Sequence, residues 1–393
     1  MLAREKVSQA AAILRELGLD AWLTFVRETS VTPDPILELV LEKDVTWQSA
    51  FLVSASGRTT AIVGSLDAAA VTDVGAWDEV LPYVESVKPP LLAWLEAERP
   101  RALAVNYSDD SEIADGLSHG MFRKLTAYLA GTPFAGTLVS AEGVISALRE
   151  RKTADEVRRM REAIRITLDL YDQVARFLAP GQTEAQVAAF LTERRQAAGV
   201  PPAWSQEHCP SVFAGPDTAG AHYGPTGRTL LRGHIVNMDF GVKFEGYCSD
   251  LQRVFYLLRE GEAVAPPEVQ RGFDTLLRSI QRSFAAVRPG RTGREIDAIA
   301  RTTITDAGYP EYPHALGHQV GRHAHDGAGL LAPPWERYGK RPDLPIQVGQ
   351  VYTLEPRLPV AGHGVVTIEE EILVTETGAE WLSAPQTELL LIP

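Results

Sequence analysis

The sequence predicts an α/β protein of two domains, a smaller one over residues 1–150 and a larger one over residues 151–393. Three observations predict it. Helix-period and strand-period segments alternate through the first 150 residues. A T-x-x-E capping box, Thr153 to Glu156, opens a long helix just beyond a boundary near residues 140–152. A Pro-Gly-x-Thr segment then occurs twice, at Pro180–Thr183 and Pro289–Thr292, with an offset of 109 residues. Each copy follows an apolar helix pattern and precedes another, and with matching flanks this predicts a duplicated domain with pseudo-twofold symmetry.

The elements follow in order. Apolar residues at helical spacing run from Val7 to Leu17, and Gly18 stops them. Asp20–Val26 reads as a strand. Ala50–Ser54 and Thr59–Val63 flank a Ser56-Gly57 turn and read as a hairpin. Arg101–Val105 is a further strand. The helix after Thr153 places Val157, Met160, Ile164, Leu168 and Tyr171 near one face. The repeated segments both carry capping boxes, Thr183-x-x-Gln186 and Thr292-x-x-Glu295, and their helices end near Gly199-Val-Pro201 and Gly308-Tyr-Pro310.

Composition narrows the function. With 38 basic and 51 acidic residues, a net charge of −13, the chain is a poor general binder of nucleic acid. No run of about 18 uncharged apolar residues is present, so no transmembrane helix is expected. Met1–Lys6 lacks the apolar segment of a secretory leader. Only two cysteines, Cys209 and Cys248, argue for a reducing, cytoplasmic setting rather than a disulfide framework. Eight of the nine histidines lie between His208 and His363, in the same part of the chain as several closely spaced acids. Such grouping points to a metal or catalytic site there.

Two strand pairs sharpen that expectation. His234–Phe240 and Tyr247–Tyr256 read as an antiparallel hairpin centred between Phe244 and Glu245, which sets Asp239 opposite Asp250. Val351–Glu355 and Val365–Glu369 repeat the geometry, with Gly362 at the midpoint of Glu355 and Glu369. Opposed residues share one face, with Cβ atoms about 4.5–5.5 Å apart, where like charges repel unless neutralised. Four carboxylates with a histidine suit two divalent ions about 3.5–4 Å apart. Geometry alone leaves the rival open, namely exposed acids on half-buried hairpins.

Five segments now fall into an order. They are Met238–Gly241; Gly246–Arg253 with Asp250; Gly317–Gly321 with His325-Asp326; Thr353–Pro356; and Thr367–Glu370. Over residues 150–393 they resemble the metallopeptidases of the pita-bread fold: methionine aminopeptidases, aminopeptidase P and prolidases. The first 150 residues resemble, more weakly, the amino domain of creatinase. The resemblance implies a dinuclear centre held by Asp239, Asp250, His318, Glu355 and Glu369. Asp250 and Glu369 would bridge both ions, and Glu355 would also serve as general base. Manganese suits such carboxylate-rich ligation, with Zn²⁺ or Co²⁺ as alternatives. His222, in Gly215–His222, and His325 would flank the substrate and stabilise the developing oxyanion.

The pattern also departs from the family. Many relatives carry R-x-E before the last ligand, where this chain has Thr367; E-P-G becomes Glu355-Pro-Arg357; Gly321-Arg322-His323 follows His318 unusually. For Arg357 and Arg322 two readings are open: one of them supplies the cation otherwise given by the missing arginine and grips a peptide carboxylate, or they are surface arginines with no such role. His208, His234, His314 and His363 are expected to be mostly structural, and Cys248 to pack. For Trp47 and Trp204 a substrate pocket and the core are both open.

The long amino domain favours the proline-directed branch over methionine aminopeptidase. The expected activity is hydrolysis of Xaa-Pro dipeptides, with a small peptide as partner and a homodimer as assembly. Aminopeptidase P-like trimming of longer peptides is the alternative, ahead of a creatinase-like C–N hydrolase or a non-enzymatic binding protein on the same fold.

Overall fold

In a computed structural model, which describes residues 2–109, 111–217 and 224–393, the chain parts after Arg149 into two units. The first begins with a helix over Leu2–Leu17 that buries Val7, Ala10, Ile13 and Leu14. Gly18, at φ 66°, ends it in the left-handed region that glycine enters without steric cost. The strands β1 (Ala21–Val26), β2 (Ser49–Ser54), β3 (Thr59–Gly64), β4 (Glu79–Tyr83), β5 (Leu103–Val105) and β6 (Leu138–Ser140) form one sheet in the order β4-β3-β2-β1-β5-β6. The hairpin read from Ser56-Gly57 is β2–β3, with Val53 opposite Thr59. Strand β1 explains the layering. Trp22 and Val26 enter one apolar cluster, while Ala21, Leu23 and Phe25 enter another. A period-two alternation that is apolar on both sides requires cover on both faces.

The second unit shows the duplication. A helix over Ala154–Phe177 precedes one over Glu184–Ala197; a helix over Pro267–Ala286 precedes one over Gly293–Asp306. The second member of each pair has 14 residues. Full capping boxes close at Thr153 and Thr183, and the Thr292 N–H donates to Glu295 Oε2 at 2.7 Å. The helix after Thr153 buries Met160, Ile164 and Tyr171 as expected. Val157 and Leu168 sit half-buried at the margin of that face. The Tyr171 hydroxyl lies 2.9 Å from the Met238 carbonyl and 2.8 Å from that of Leu251. It pins the helix to the two strands that end beside Asp239 and Asp250.

The strands of this unit are β7 (Ser211–Ala214), β8 (Ile235–Phe240), β9 (Lys243–Phe244), β10 (Tyr247–Cys248), β11 (Leu251–Leu257), β12 (Gly317–His318), β13 (Leu330–Leu331), β14 (Val351–Leu354), β15 (Arg357–Val360), β16 (Gly364–Thr367), β17 (Glu370–Val374), β18 (Ala379–Trp381) and β19 (Leu390–Ile392). One sheet runs β19-β11-β8-β7 and another β14-β17-β18; β9–β10, β12–β13 and β15–β16 pair separately.

The second hairpin has the expected register. Leu354 opposes Glu370 and Arg357 opposes Thr367, so the ladder passes through Glu355 and Glu369 as a facing pair and turns at Gly362, φ 77°. The first hairpin corrects the expectation. Asp239 lies opposite Gln252, not Asp250, and Tyr247 opposes Phe244. The turn is Glu245-Gly246, with φ 45° and 84°, the positive pair a two-residue primed turn requires. It moves the centre one residue along and the register by two. A two-residue shift preserves the face, so Asp239 and Asp250 still point the same way.

Candidate metal centre

The four acids and one histidine singled out above lie where ladders stop. Asp239 is near the end of β8; Asp250 immediately precedes β11; His318 ends β12; Glu355 follows β14; Glu369 precedes β17. Two isolated bridges, Gln252 with Glu369 and Gln319 with Tyr352, draw these ends together. The His318 N–H donates to the Thr353 hydroxyl at 3.1 Å. His318 Nδ1 lies 3.3 Å from the Gln319 carbonyl, which leaves Nε2 toward the acids. That nitrogen is 3.4 Å from Glu355 Oε1, 3.7 Å from Glu369 Oε1 and 3.8 Å from Asp250 Oδ2. Asp250, His318 and Glu369 each offer one ligand atom within 4.8 Å of the others.

Electrostatics set this cluster apart. Burial first, and neighbouring carboxylates second, hold Asp250 and Glu369 well above the usual carboxylate range. Glu355 is likewise held well above it, by burial and then by Asp239. Burial pushes Asp239 up to about 7. Burying several like charges together is costly unless protons or cations neutralise them. Asp239 Oδ1 and Glu369 Oε1 are buried with no hydrogen-bond partner among the described residues. The donor set, hard oxygens with one imidazole nitrogen, fits divalent cations, and those orphaned oxygens are where a cation would satisfy it.

A second layer of polar groups fixes the first. The Asp250 N–H donates to Glu371 Oε1 at 2.7 Å, and burial pushes Glu371 up to about 8. Buried Arg253 pairs with Glu370 at 3.0 Å and donates to the Glu369 carbonyl at 3.2 Å. None of Gln252, Arg253 and Glu371 was foreseen as a site residue; a neutral amide or an ordinary ion pair has no spacing signature in sequence.

Beside the cluster lies a cavity of about 440 Å³ lined by Phe213, Gln252, Pro313, His314, Arg337, Tyr338, Arg357 and Thr367. No acid lines it. Arg357 projects from β15 directly across from Thr367. It is half-buried, burial lowers its pKa, and it has no acidic partner among the described residues. Arg322 is placed elsewhere, its guanidinium over the Tyr247 ring at 5.4 Å. Of the two arginines weighed from sequence, only Arg357 meets the cavity.

The remaining candidates divide. His325 is exposed and its ring meets that of His318 edge-on, with centroids 4.2 Å apart. His222 lies outside the described residues. His314 lines the cavity, where only a structural role was expected. His363 is structural, its Nδ1 2.7 Å from the Gly233 carbonyl. Cys209 and Cys248 are both buried thiols. Trp47 is 57 % exposed, which takes it out of the core; Trp204 donates to the His208 carbonyl at 3.1 Å.

Comparison with known proteins now adds to this geometry. Residues 158–376 match metallopeptidase family M24. The chain belongs to that family. An uncharacterized peptidase of Staphylococcus saprophyticus is 33 % identical over 240 residues, which span 61 % of this chain and 64 % of that protein. A probable dipeptidase PepE of Mycobacterium tuberculosis is 29 % identical over 351 residues, 88 % of this chain and 86 % of that one. Among solved structures, the Xaa-Pro dipeptidase from Bacillus anthracis superposes with a TM-score of 0.73 at 23 % identity, covering 99 % of this chain and 100 % of that one. The fold is therefore an amino-terminal α/β domain followed by a pita-bread catalytic domain. M24 enzymes are metal-dependent peptidases, and the buried cluster is the group in this member that suits a metal.

Proposed function

We propose that this M24 metallopeptidase hydrolyses Xaa-Pro dipeptides at a centre of two divalent ions, manganese by preference. Asp239, Asp250, His318, Glu355 and Glu369 would hold them. One observation supports the substrate class above all others. A cavity bearing the half-buried guanidinium of Arg357, which has no acidic partner among the described residues, adjoins the carboxylate cluster through Gln252. Its volume of about 440 Å³ lies in the range of small-ligand sites, about 300–1,000 Å³. A dipeptide places its scissile carbonyl and its terminal carboxylate a few bonds apart. Arg357 would grip that carboxylate, with a charge-assisted bond strengthened by the poor solvation of the site.

Bound at the cluster, the metals would supply Lewis-acid polarisation of the carbonyl and a water of lowered pKa. The chain's own residues do the rest. Glu355 would take a proton from the attacking water and return it to the leaving proline nitrogen. His325, exposed beside His318, and His222 would donate hydrogen bonds to the developing oxyanion. Thr367 cannot play the cationic part that an arginine at its position would, and Arg357 across the β15–β16 pair takes it.

A cleavage panel tests the reading. Xaa-Pro dipeptides, Xaa-Pro-Xaa tripeptides and Met-initiated peptides are compared after chelation and with Mn²⁺, Co²⁺ or Zn²⁺ restored. Dipeptide cleavage that requires added metal is the expected result. Equal or faster tripeptide cleavage would instead assign the aminopeptidase P-like activity, and no metal-dependent hydrolysis would leave a binding protein. The reading carries with it a cytoplasmic homodimer, testable by light scattering. Among the described residues no helix is long and apolar enough to cross a membrane.

A further inference from the structure

Gln252 and Thr367 both line the cavity, and Gln252 also reaches the carboxylate cluster at Glu369. Gln252 is 4 % exposed and exchanges backbone hydrogen bonds with Glu369 at 3.3 Å in each direction. Its side chain is tied at both ends. Nε2 donates to Glu369 Oε2 at 2.9 Å, and Oε1 accepts from the Thr367 hydroxyl at 2.9 Å. The sense of this chain is fixed by chemistry. An ionised carboxylate only accepts, so the amide must present nitrogen to Glu369 and oxygen to position 367. The hydroxyl at 367 then has to donate. Its other acceptor within reach, the Pro356 carbonyl, is farther away at 3.4 Å. With Oε2 held, Glu369 turns Oε1 toward the imidazole of His318, and that oxygen is the one without a hydrogen-bond partner.

We infer that Gln252 and Thr367 form a directional relay that positions Glu369 for metal binding. Gln252 is the positioning residue, and the Thr367 hydroxyl anchors the far end of its amide. The inference rests on the dinuclear-metal reading above and assigns a purpose to the threonine that stands where many relatives carry arginine. It separates cleanly from maintenance of the fold. Arg253 donates to the backbone carbonyls of Gln252 and Glu369 at 2.9 and 3.2 Å, and each of these carbonyls also accepts the other residue's N–H, so losing the relay frees a side chain and leaves the strand in place. Without the hydroxyl the amide oxygen loses its donor, and the Gln252 side chain is held only by its contact with Glu369.

The test is Mn²⁺ binding to chelator-stripped full-length protein by equilibrium dialysis. Wild type is compared with Thr367→Val, Thr367→Ser and Gln252→Leu, with the Tm of each apo-protein measured alongside. Loss of a hydrogen-bonding partner behind a metal ligand typically weakens affinity by about 10–100-fold. Gln252→Leu is expected in that range. The near-isosteric Thr367→Val is expected to weaken binding by about 10-fold, Thr367→Ser to bind like wild type, and the apo Tm of Thr367→Val to match wild type. Unchanged Mn²⁺ affinity in Thr367→Val would overturn the relay, and so would equal losses in Val and Ser. If wild type itself bound no Mn²⁺ the underlying metal reading would fail first, and the relay with it.

Discussion

Asp34 in the amino-terminal unit and Asp239 in the catalytic unit each hold a carboxyl away from solvent, with opposite fates. In the amino-terminal unit Asp34 is 2 % exposed. Its carboxylate accepts from Asn106 Nδ2 at 2.8 Å and from the Ile36 N–H at 3.1 Å, and Asn106 is in turn held by Trp22 Nε1 at 2.7 Å. In the catalytic unit Asp239 has an oxygen with no such partner. Burial raises both, Asp34 to about 6 and Asp239 to about 7. A raised pKa therefore does not separate a structural acid from a functional one. The missing partners do: the first acid completes a network inside the protein, and the second leaves a valence for something from outside.

The sharpest way to break that contrast is to neutralise one acid in each unit. Glu369→Gln is expected to lower kcat/KM by at least about 10³-fold, equivalent to about 4 kcal/mol of barrier, with loss of bound metal. Asp34→Asn should leave kcat/KM within about twofold. Parallel losses in the two variants would mean that burial, not ligation, carries activity.

Arg357→Ala comes next. It should raise KM for Xaa-Pro dipeptides by about 30–100-fold, the scale of a charged hydrogen bond worth about 2–3 kcal/mol, while longer peptides change little. Equal effects on both would reject carboxylate recognition.

A smaller effect is expected in pH. Folded and metal-free, Asp239 keeps its proton to about 7 and Glu371 to about 8, whereas unfolded both ionise near about 4. Between those limits the folded state binds more protons, so stability falls as pH rises. The apo-protein should therefore lose Tm from pH 5 to pH 8, and Mn²⁺ should restore more at pH 8 than at pH 6. Scanning fluorimetry across that range, with Asp239→Asn flattening the apo slope, checks the sign. The smallest effect is on Asp34→Asn itself, where one mismatched amide contact should cost about 1–2 kcal/mol of stability.

What was legible in the sequence follows the same division. The Glu355–Glu369 pair could be read by counting, because the loop turns on Gly362, which sits at the midpoint and takes a positive φ. The Asp239–Asp250 pair was misread by two residues because Glu245 also adopts a positive φ, which nothing about a glutamate announces. The error did little harm, since parity kept both acids on one face. Acids and histidines with strong spacing were singled out as candidates. Gln252 and His314 were not, because an amide and a lone histidine acquire meaning only from what the fold brings beside them. Arg357 was found through a mismatch with the family pattern, and its place across from Thr367 needed the sheet.

The doubled Pro-Gly-x-Thr segment has a consequence for assembly. Asp239 and Asp250 belong to the first half of the catalytic unit; His318, Glu355 and Glu369 belong to the second. The halves meet through an exposed connection after Leu258, and neither alone possesses a complete coordination shell. Metal that binds only the joined state stabilises the joining by mass action. Under the proposed ligand set the ions would be fasteners as well as reagents: a chain nicked between Arg259 and Glu262 should reassemble from its two fragments more tightly with Mn²⁺ than without.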